Sequence, residues 1–149
     1  MRLLHLAPVA AGALAIGACA TTLPVRAPLA GSSWRLVEIQ SMDDAQGVSR
    51  PGNADLYTLQ FDTSGNATMK LDCNQGRAPY TARRTGATTG TLTFGPIAST
   101  RALCGPQSLG ERLAQQLPFV RTYLVRDGRL NMSLFADGGI FVWERTGGR

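Results

Sequence analysis

Tyr57-Thr58-Leu59-Gln60-Phe61-Asp62, the turn Thr63-Ser64-Gly65-Asn66, and Ala67-Thr68-Met69-Lys70-Leu71 form the stretch on which the fold turns. Apolar side chains fall at every second residue on both sides of the turn, so each run presents one apolar and one polar face. Gly and Asn between the runs supply the turn chemistry. The pattern predicts a half-buried β-hairpin.

The same period extends outward. Downstream, Ala78-Pro79-Tyr80-Thr81-Ala82 and Thr91-Leu92-Thr93-Phe94, separated by a turn from Gly86 to Gly90, predict a second pair of strands. Between Cys104 and Pro118 the period changes: Leu109, Leu113 and Leu117 recur every four residues. That spacing predicts a short amphipathic helix, opened by a capping box of Ser108 with Glu111 and stopped by Pro118. Then Tyr123-Leu124-Val125, a turn at Asp127-Gly128, Leu130 to Leu134, a turn at Asp137-Gly138-Gly139, and Ile140 to Trp143 predict a three-stranded meander. Upstream, Ser33 to Ile39 predicts a first strand whose Trp34 belongs in the core, and the polar stretch Ser41 to Asp55 predicts a loop. The fold class expected is mainly β (α+β): a single antiparallel curved sheet or partly closed barrel of roughly seven or eight strands, with one amphipathic helix over its apolar face.

The first 18 residues read as a signal peptide. Arg2 gives the positive start, and Leu, Ala, Val and Ile dominate from Leu3 to Ala18. Pro8, Gly12 and Gly17 interrupt a run shorter than the roughly 20 apolar residues needed to cross a bilayer. Ile16-Gly17-Ala18-Cys19 resembles the bacterial lipobox, in which the cysteine is lipidated and becomes the new N-terminus. Ala18-Cys19-Ala20 also fits ordinary A-x-A cleavage, which would release a soluble periplasmic or secreted protein from Thr21. The lipobox reading leads, and Ala20 after the cysteine points by analogy to the outer membrane, facing the periplasm. Residues 19–31, with Pro24 and Pro28, are then the lipidated N-terminus and tether, 32–145 the domain, and 146–149 a tail disordered by composition.

Removing Arg2 with the leader lowers the formal charge from +5 to +4, and the remaining chain has the size of one domain. Only Lys70 among the basic residues is not arginine, and the arginines are scattered rather than interleaved with aromatics. A solvated basic face is expected and a nucleic-acid partner is not; anionic lipid or cell-wall polymer is the sharper alternative. With Cys19 assigned to the anchor, Cys73 and Cys104 remain in an oxidising compartment and pair as a disulfide. There is no C-x-x-C for redox work, and two cysteines without histidine make a poor zinc site.

Gly31-Ser32-Ser33-Trp34-Arg35-Leu36, Asp72-Cys73-Asn74 followed by Tyr80, Leu92-Thr93-Phe94-Gly95-Pro96, and Thr100-Arg101-Ala102-Leu103-Cys104 occur in this order, which resembles the META domain family of HslJ-like, heat-shock-associated bacterial lipoproteins. The resemblance covers about residues 30 to 145. It implies an exported, often lipid-anchored protein with an antiparallel sheet curved around a helix, linked to envelope stress, drug tolerance or motility rather than to a known reaction. The chain departs from the family in having Asp72 where Gly commonly precedes Cys-Asn, and Arg77-Ala78 in place of bulkier residues.

Catalytic chemistry finds little support. The one histidine, His5, lies in the leader, which leaves no histidine for a triad or a metal site in the mature chain. No serine lies in a nucleophile elbow, no cofactor motif is present, and no metal ligand set is expected. Asp62 and Asp72 flank the first hairpin and would serve a carboxylate hydrolase only if they met; as turn residues they need no such role. Asp72, Asn74 and Arg101 adjoin the two cysteines. They form either a small recognition surface or a structural set in which Asn74 closes a turn and Arg101 pairs with a carboxylate. The expected function is a non-enzymatic envelope binding or interaction module with an unidentified envelope protein as partner. Carriage of a lipid or hydrophobic ligand is the alternative, which an unfilled cavity among Phe61, Met69, Phe94 and Trp143 would support.

Overall fold

The structure, a computed structural model, describes residues 28–147. The leader, Cys19 and residues 20–27 of the tether lie outside the described residues, as do the last two residues of the tail. The strands are β1 (Ser32–Gln40), β2 (Val48–Ser49), β3 (Tyr57–Phe61), β4 (Asn66–Leu71), β5 (Asn74–Arg84), β6 (Thr89–Phe94), β7 (Ala98–Ser99), β8 (Val120–Arg126), β9 (Arg129–Leu134) and β10 (Ile140–Arg145). One helix, α1 (Gly110–Gln116), runs on into a 3-10 turn at Leu117–Phe119.

The first hairpin forms in the register its period demands. Leu59 faces Met69 and Phe61 faces Ala67, all buried. A slip by one residue would turn this whole set to solvent. The connecting turn closes on Asp62, whose Oδ1 accepts the N–H groups of Ser64 at 2.9 Å and Asn66 at 2.7 Å. Those hydrogen bonds, Asn66's first, hold the Asp62 carboxyl below its usual range. The β8–β9 hairpin turns on Asp127 and Gly128, both at positive φ, which suits the twist of the flanking strands.

The sheet is fully closed. Its order is β10-β9-β8-β6-β5-β4-β3-β1, and β1 pairs back onto β10, giving an eight-stranded antiparallel barrel with β2 and β7 as additions. Trp34, Leu36, Phe61, Leu92, Met132, Phe141 and Trp143 fill the interior. One end of the barrel holds the start of β1, the Asp62 and Asp127–Gly128 turns and the finish of β10; this is the N-terminal end. At the other, α1 lies across the mouth on the way from β6 to β8, and Leu113 and Leu117 are buried beneath it. Gly110 allows this approach, because a Cβ there would collide with the carbonyl oxygen of Leu71.

Four local expectations change. The Ser108–Glu111 capping box does not form: Leu109 takes the N-cap with helical dihedrals, Ser108 Oγ accepts from Gly110 N at 3.2 Å, and Glu111 accepts from Gln115 instead. The stretch from Ser41 to Asp55 is not all loop, since Val48–Ser49 pairs with Gln40 and Ile39, and a 3-10 turn begins at Ala54. Both are short pieces held by tertiary partners rather than by their own propensity. Packed structure starts before Ser32: Leu29 is buried and Gly31 N donates to the Phe61 carbonyl at 2.7 Å. Thr146 of the expected tail donates its N–H to Ser33.

Candidate functional site

The wall of the barrel opens beside the helix. Strand β6 pairs with β8 only through Thr89, Gly90 and Thr91. Beyond Phe94 the chain bends at Gly95-Pro96 and continues along β5 as β7, with Ala98 opposite Arg77 and Ser99 opposite Gly76. Among the described residues β5 is the single strand partner of β7. Thr100 N donates to Gln75 O at 3.0 Å, so by antiparallel alternation the N–H and C=O of Ser99 and Arg101 point away from β5. Between this free edge and the first turns of α1 lies a groove of about 420 Å³, with Ser99, Arg101 and Leu103 on one side, Glu111 and Gln115 on the other, and Leu71 among the residues lining it.

The disulfide shapes the groove's rim. Cys73 and Cys104 are bonded, with Cα atoms 5.7 Å apart. Next to it, Asn74 grips the backbone of Ala102 on both sides: Oδ1 accepts Ala102 N at 2.7 Å and Nδ2 donates to Ala102 O at 2.9 Å. Thr100 Oγ1 donates to Asn74 Oδ1 at 2.9 Å and accepts from Gln75 N at 3.0 Å. Asn74 thus replaces the ladder bonds that the chain loses after β7, which goes beyond closing a turn.

Asp72 works elsewhere. It sits at φ +64°, in the left-handed region, and its carboxylate accepts from the Tyr57 hydroxyl at 3.2 Å. That hydroxyl in turn accepts Leu109 N at 3.0 Å, tying the β4–β5 turn to the approach to the helix. Asn74 and Arg101 both line the groove, whereas Asp72 supports it from outside the lining. Arg101 is exposed and has no ion pair or hydrogen bond among the described residues, so the expected carboxylate partner does not exist there.

Leu103 is the residue that the sequence did not single out. It is fully exposed, at 101%. A leucine beside a structural cysteine reads as core, and nothing in its spacing marks it otherwise. The sequence predicts Glu111 as the capping-box partner of Ser108 rather than as the lining of a groove, and does not single out Gln115.

Two catalytic and carrier arrangements lose their geometric support. Asp62 and Asp72 lie beyond opposite ends of β4, about 20 Å apart along the strand, against the roughly 5 to 9.5 Å of a glycosidase pair. Phe61, Met69, Phe94 and Trp143 are all buried in a packed interior, with the Phe61 ring edge-on to Tyr80 at 4.7 Å and stacked on Phe94 at 6.1 Å. Among the described residues no three His, Cys, Asp or Glu side chains group to hold a metal ion.

The sequence profile of the META domain matches residues 27–145. The chain belongs to the META domain family. Two solved structures share the family member's fold. A protein from Burkholderia xenovorans, solved by NMR, is 21% identical with a TM-score of 0.63, and the match covers 95% of this chain and 99% of that one. A DUF4847 family protein from Bacteroides vulgatus is 11% identical with a TM-score of 0.55 over 82% and 97% of the two chains. No curated protein matches in sequence. The left-handed dihedral at Asp72 fits the glycine that the resemblance expects at this position, since glycine adopts it without strain.

Proposed function

We propose that this META domain protein is a non-enzymatic, HslJ-like lipoprotein of the bacterial cell envelope, anchored through Cys19, and that it binds a partner in the groove between β7 and α1. The observation that carries the binding reading is, among the described residues, an unpaired strand edge beside an Arg101 without a partner and the exposed Leu103. Free backbone groups give an extended segment main-chain hydrogen bonds, while a cation and an apolar contact supply selectivity. The lipobox supports the anchor at Cys19, Ala20 after it supports outer-membrane placement, and a role in envelope stress tolerance follows from the family resemblance. A hydrophobic-ligand carrier is the second reading, for which the groove, with Leu71, Ile97 and Ala114 in its lining, is the available site.

The test is a photo-crosslinking residue at position 103 in cells, followed by native mass spectrometry of the protein released without reductant. A crosslinked polypeptide that disappears with Arg101→Ala supports the groove; a bound lipid mass would move the reading to the carrier. Crosslinks arising equally from position 81, an exposed threonine on the outside of β5, would sink the groove as the site.

A further inference from the structure

We infer that the N-terminal end of the barrel is a docking surface for an anionic lipid bilayer, made by a rim of arginines that the fold gathers from distant parts of the chain. Arg83 and Arg84 finish β5, Arg126 and Arg129 flank the Asp127–Gly128 turn, and Arg145 finishes β10. All five are exposed. Their strands adjoin: Arg84 stands opposite Gly90, Gly90 opposite Tyr123 on β8, Arg126 opposite Arg129, and Arg145 N donates to the Gly128 carbonyl.

The rim is offset from within at one arginine of the five. Arg126 lies 3.5 Å from Asp127. Arg145 stacks over the Trp34 ring at 5.0 Å, and Arg83, Arg84, Arg129 and Arg145 have no carboxylate partner among the described residues. The remaining acids nearby are occupied: Glu144 is held by Arg35 at 2.6 Å, and Asp62 caps its own turn. Arg126 and Arg129 face each other directly across the hairpin, a like-charge pair that Asp127 meets only on the Arg126 side and that an anion bound between them would relieve further. The opposite end of the barrel is mixed in sign, with exposed Asp43, Asp44, Glu111 and Asp137 among exposed Arg50, Arg101 and Arg121, so the arginine rim is the end whose exposed charge is mostly of one sign and suits an anionic plane.

The occupant follows from where the chain enters. Ser32 begins β1 at this same end, with Trp34 opposite Arg145. Between Cys19 and the buried Leu29 lie so few residues that even fully extended they reach only about 35 Å. An anchor at Cys19 therefore keeps the rim within reach of the headgroups, at a high effective concentration, and leaves the groove facing away. This step rests on the envelope reading for the source of the anion, while the rim's affinity stands or falls without the anchor.

The experiment uses the chain from Ala20 onward, which keeps the whole closed barrel and lacks any acyl group. Its binding to phosphatidylcholine vesicles is measured with and without phosphatidylglycerol. The expected result is binding to the anionic vesicles alone, weakening as salt shortens the screening length. Arg83→Glu lowers partitioning by about fivefold or more. Arg77→Glu makes the same change in net charge lower on the same strand and lowers it far less. Arg83→Gln, with an unchanged denaturation midpoint, separates lost charge from lost fold. Absence of binding, equal binding to neutral vesicles, or equal losses for the position 77 and 83 variants would overturn the proposal. An unlipidated Cys19 in cells would remove the anchor and leave the vesicle result intact, so the two failures are distinguishable.

Discussion

Asp72 carries a backbone cost that its side chain partly offsets. At φ +64° an L-residue with a Cβ is disfavoured relative to glycine, and aspartate tolerates the region better than most. Its hydrogen bond from Tyr57 adds roughly 1 kcal/mol in return. Asp72→Gly therefore leaves stability nearly unchanged, because strain and hydrogen bond are lost together. Asp72→Ala loses the bond and keeps the strain, and lies about 1 kcal/mol below the glycine variant in urea denaturation. Equal midpoints for the two variants would show that the left-handed conformation is not what the position selects. At the same scale, Arg101 is exposed without a carboxylate partner among the described residues, which leaves its guanidinium available to a ligand.

Helix α1 is too short to stand alone and is held by what it covers. At seven residues it is below the length at which isolated helices persist, and its capping box is absent. Burial of Leu113 and Leu117 in the mouth of the barrel supplies the stabilisation, of the order of 2 kcal/mol for each side chain. The close seat also requires Gly110, whose α-carbon lies against the Leu71 carbonyl. Gly110→Ala is expected to lift the first turn of the helix and cost about 1 to 3 kcal/mol, despite alanine's better helix propensity. A rise in thermal midpoint for this variant would mean that propensity outweighs packing there. Because Glu111 and Gln115 move with the helix, the same substitution changes the groove.

Across the whole molecule, the Cys73–Cys104 bond joins the start of β5 to the segment before the helix. Closing that loop removes unfolded-state entropy worth about 3.5 to 4 kcal/mol on the chain-entropy model. Reduction, or a Cys73→Ser with Cys104→Ser pair, is expected to lower the denaturation midpoint accordingly while the barrel persists, since its strands are paired independently of the bond. An unchanged midpoint under reductant would show that the Asn74 clamp alone holds this segment. The molecule then has two unlike ends: an arginine rim where the chain enters, and a helix-covered end where the disulfide, the clamp and the groove lie together.

The hairpins were legible because their signals are local. Alternation at Tyr57, Leu59 and Phe61, glycine in the turns, and the period change at Leu109, Leu113 and Leu117 each lie within one window of sequence and act through backbone geometry and a single buried face. The cysteine pair was legible because the chain offers the domain no other thiol. Closure of the barrel was not, because it joins Arg35 to Glu144 across 109 residues, and no local pattern states which edge strands will meet. Nor was the groove, which exists because β8 leaves β6 and the helix only partly fills the gap. By itself, the sequence determined the eight barrel strands, the helix, the disulfide and the family, but not the short strands β2 and β7. Tertiary structure alone decided that Asp62 and Asp72 stay apart, that Arg101 goes unpaired among the described residues, and that five arginines from four strands share one rim, because each depends on which distant backbones pair.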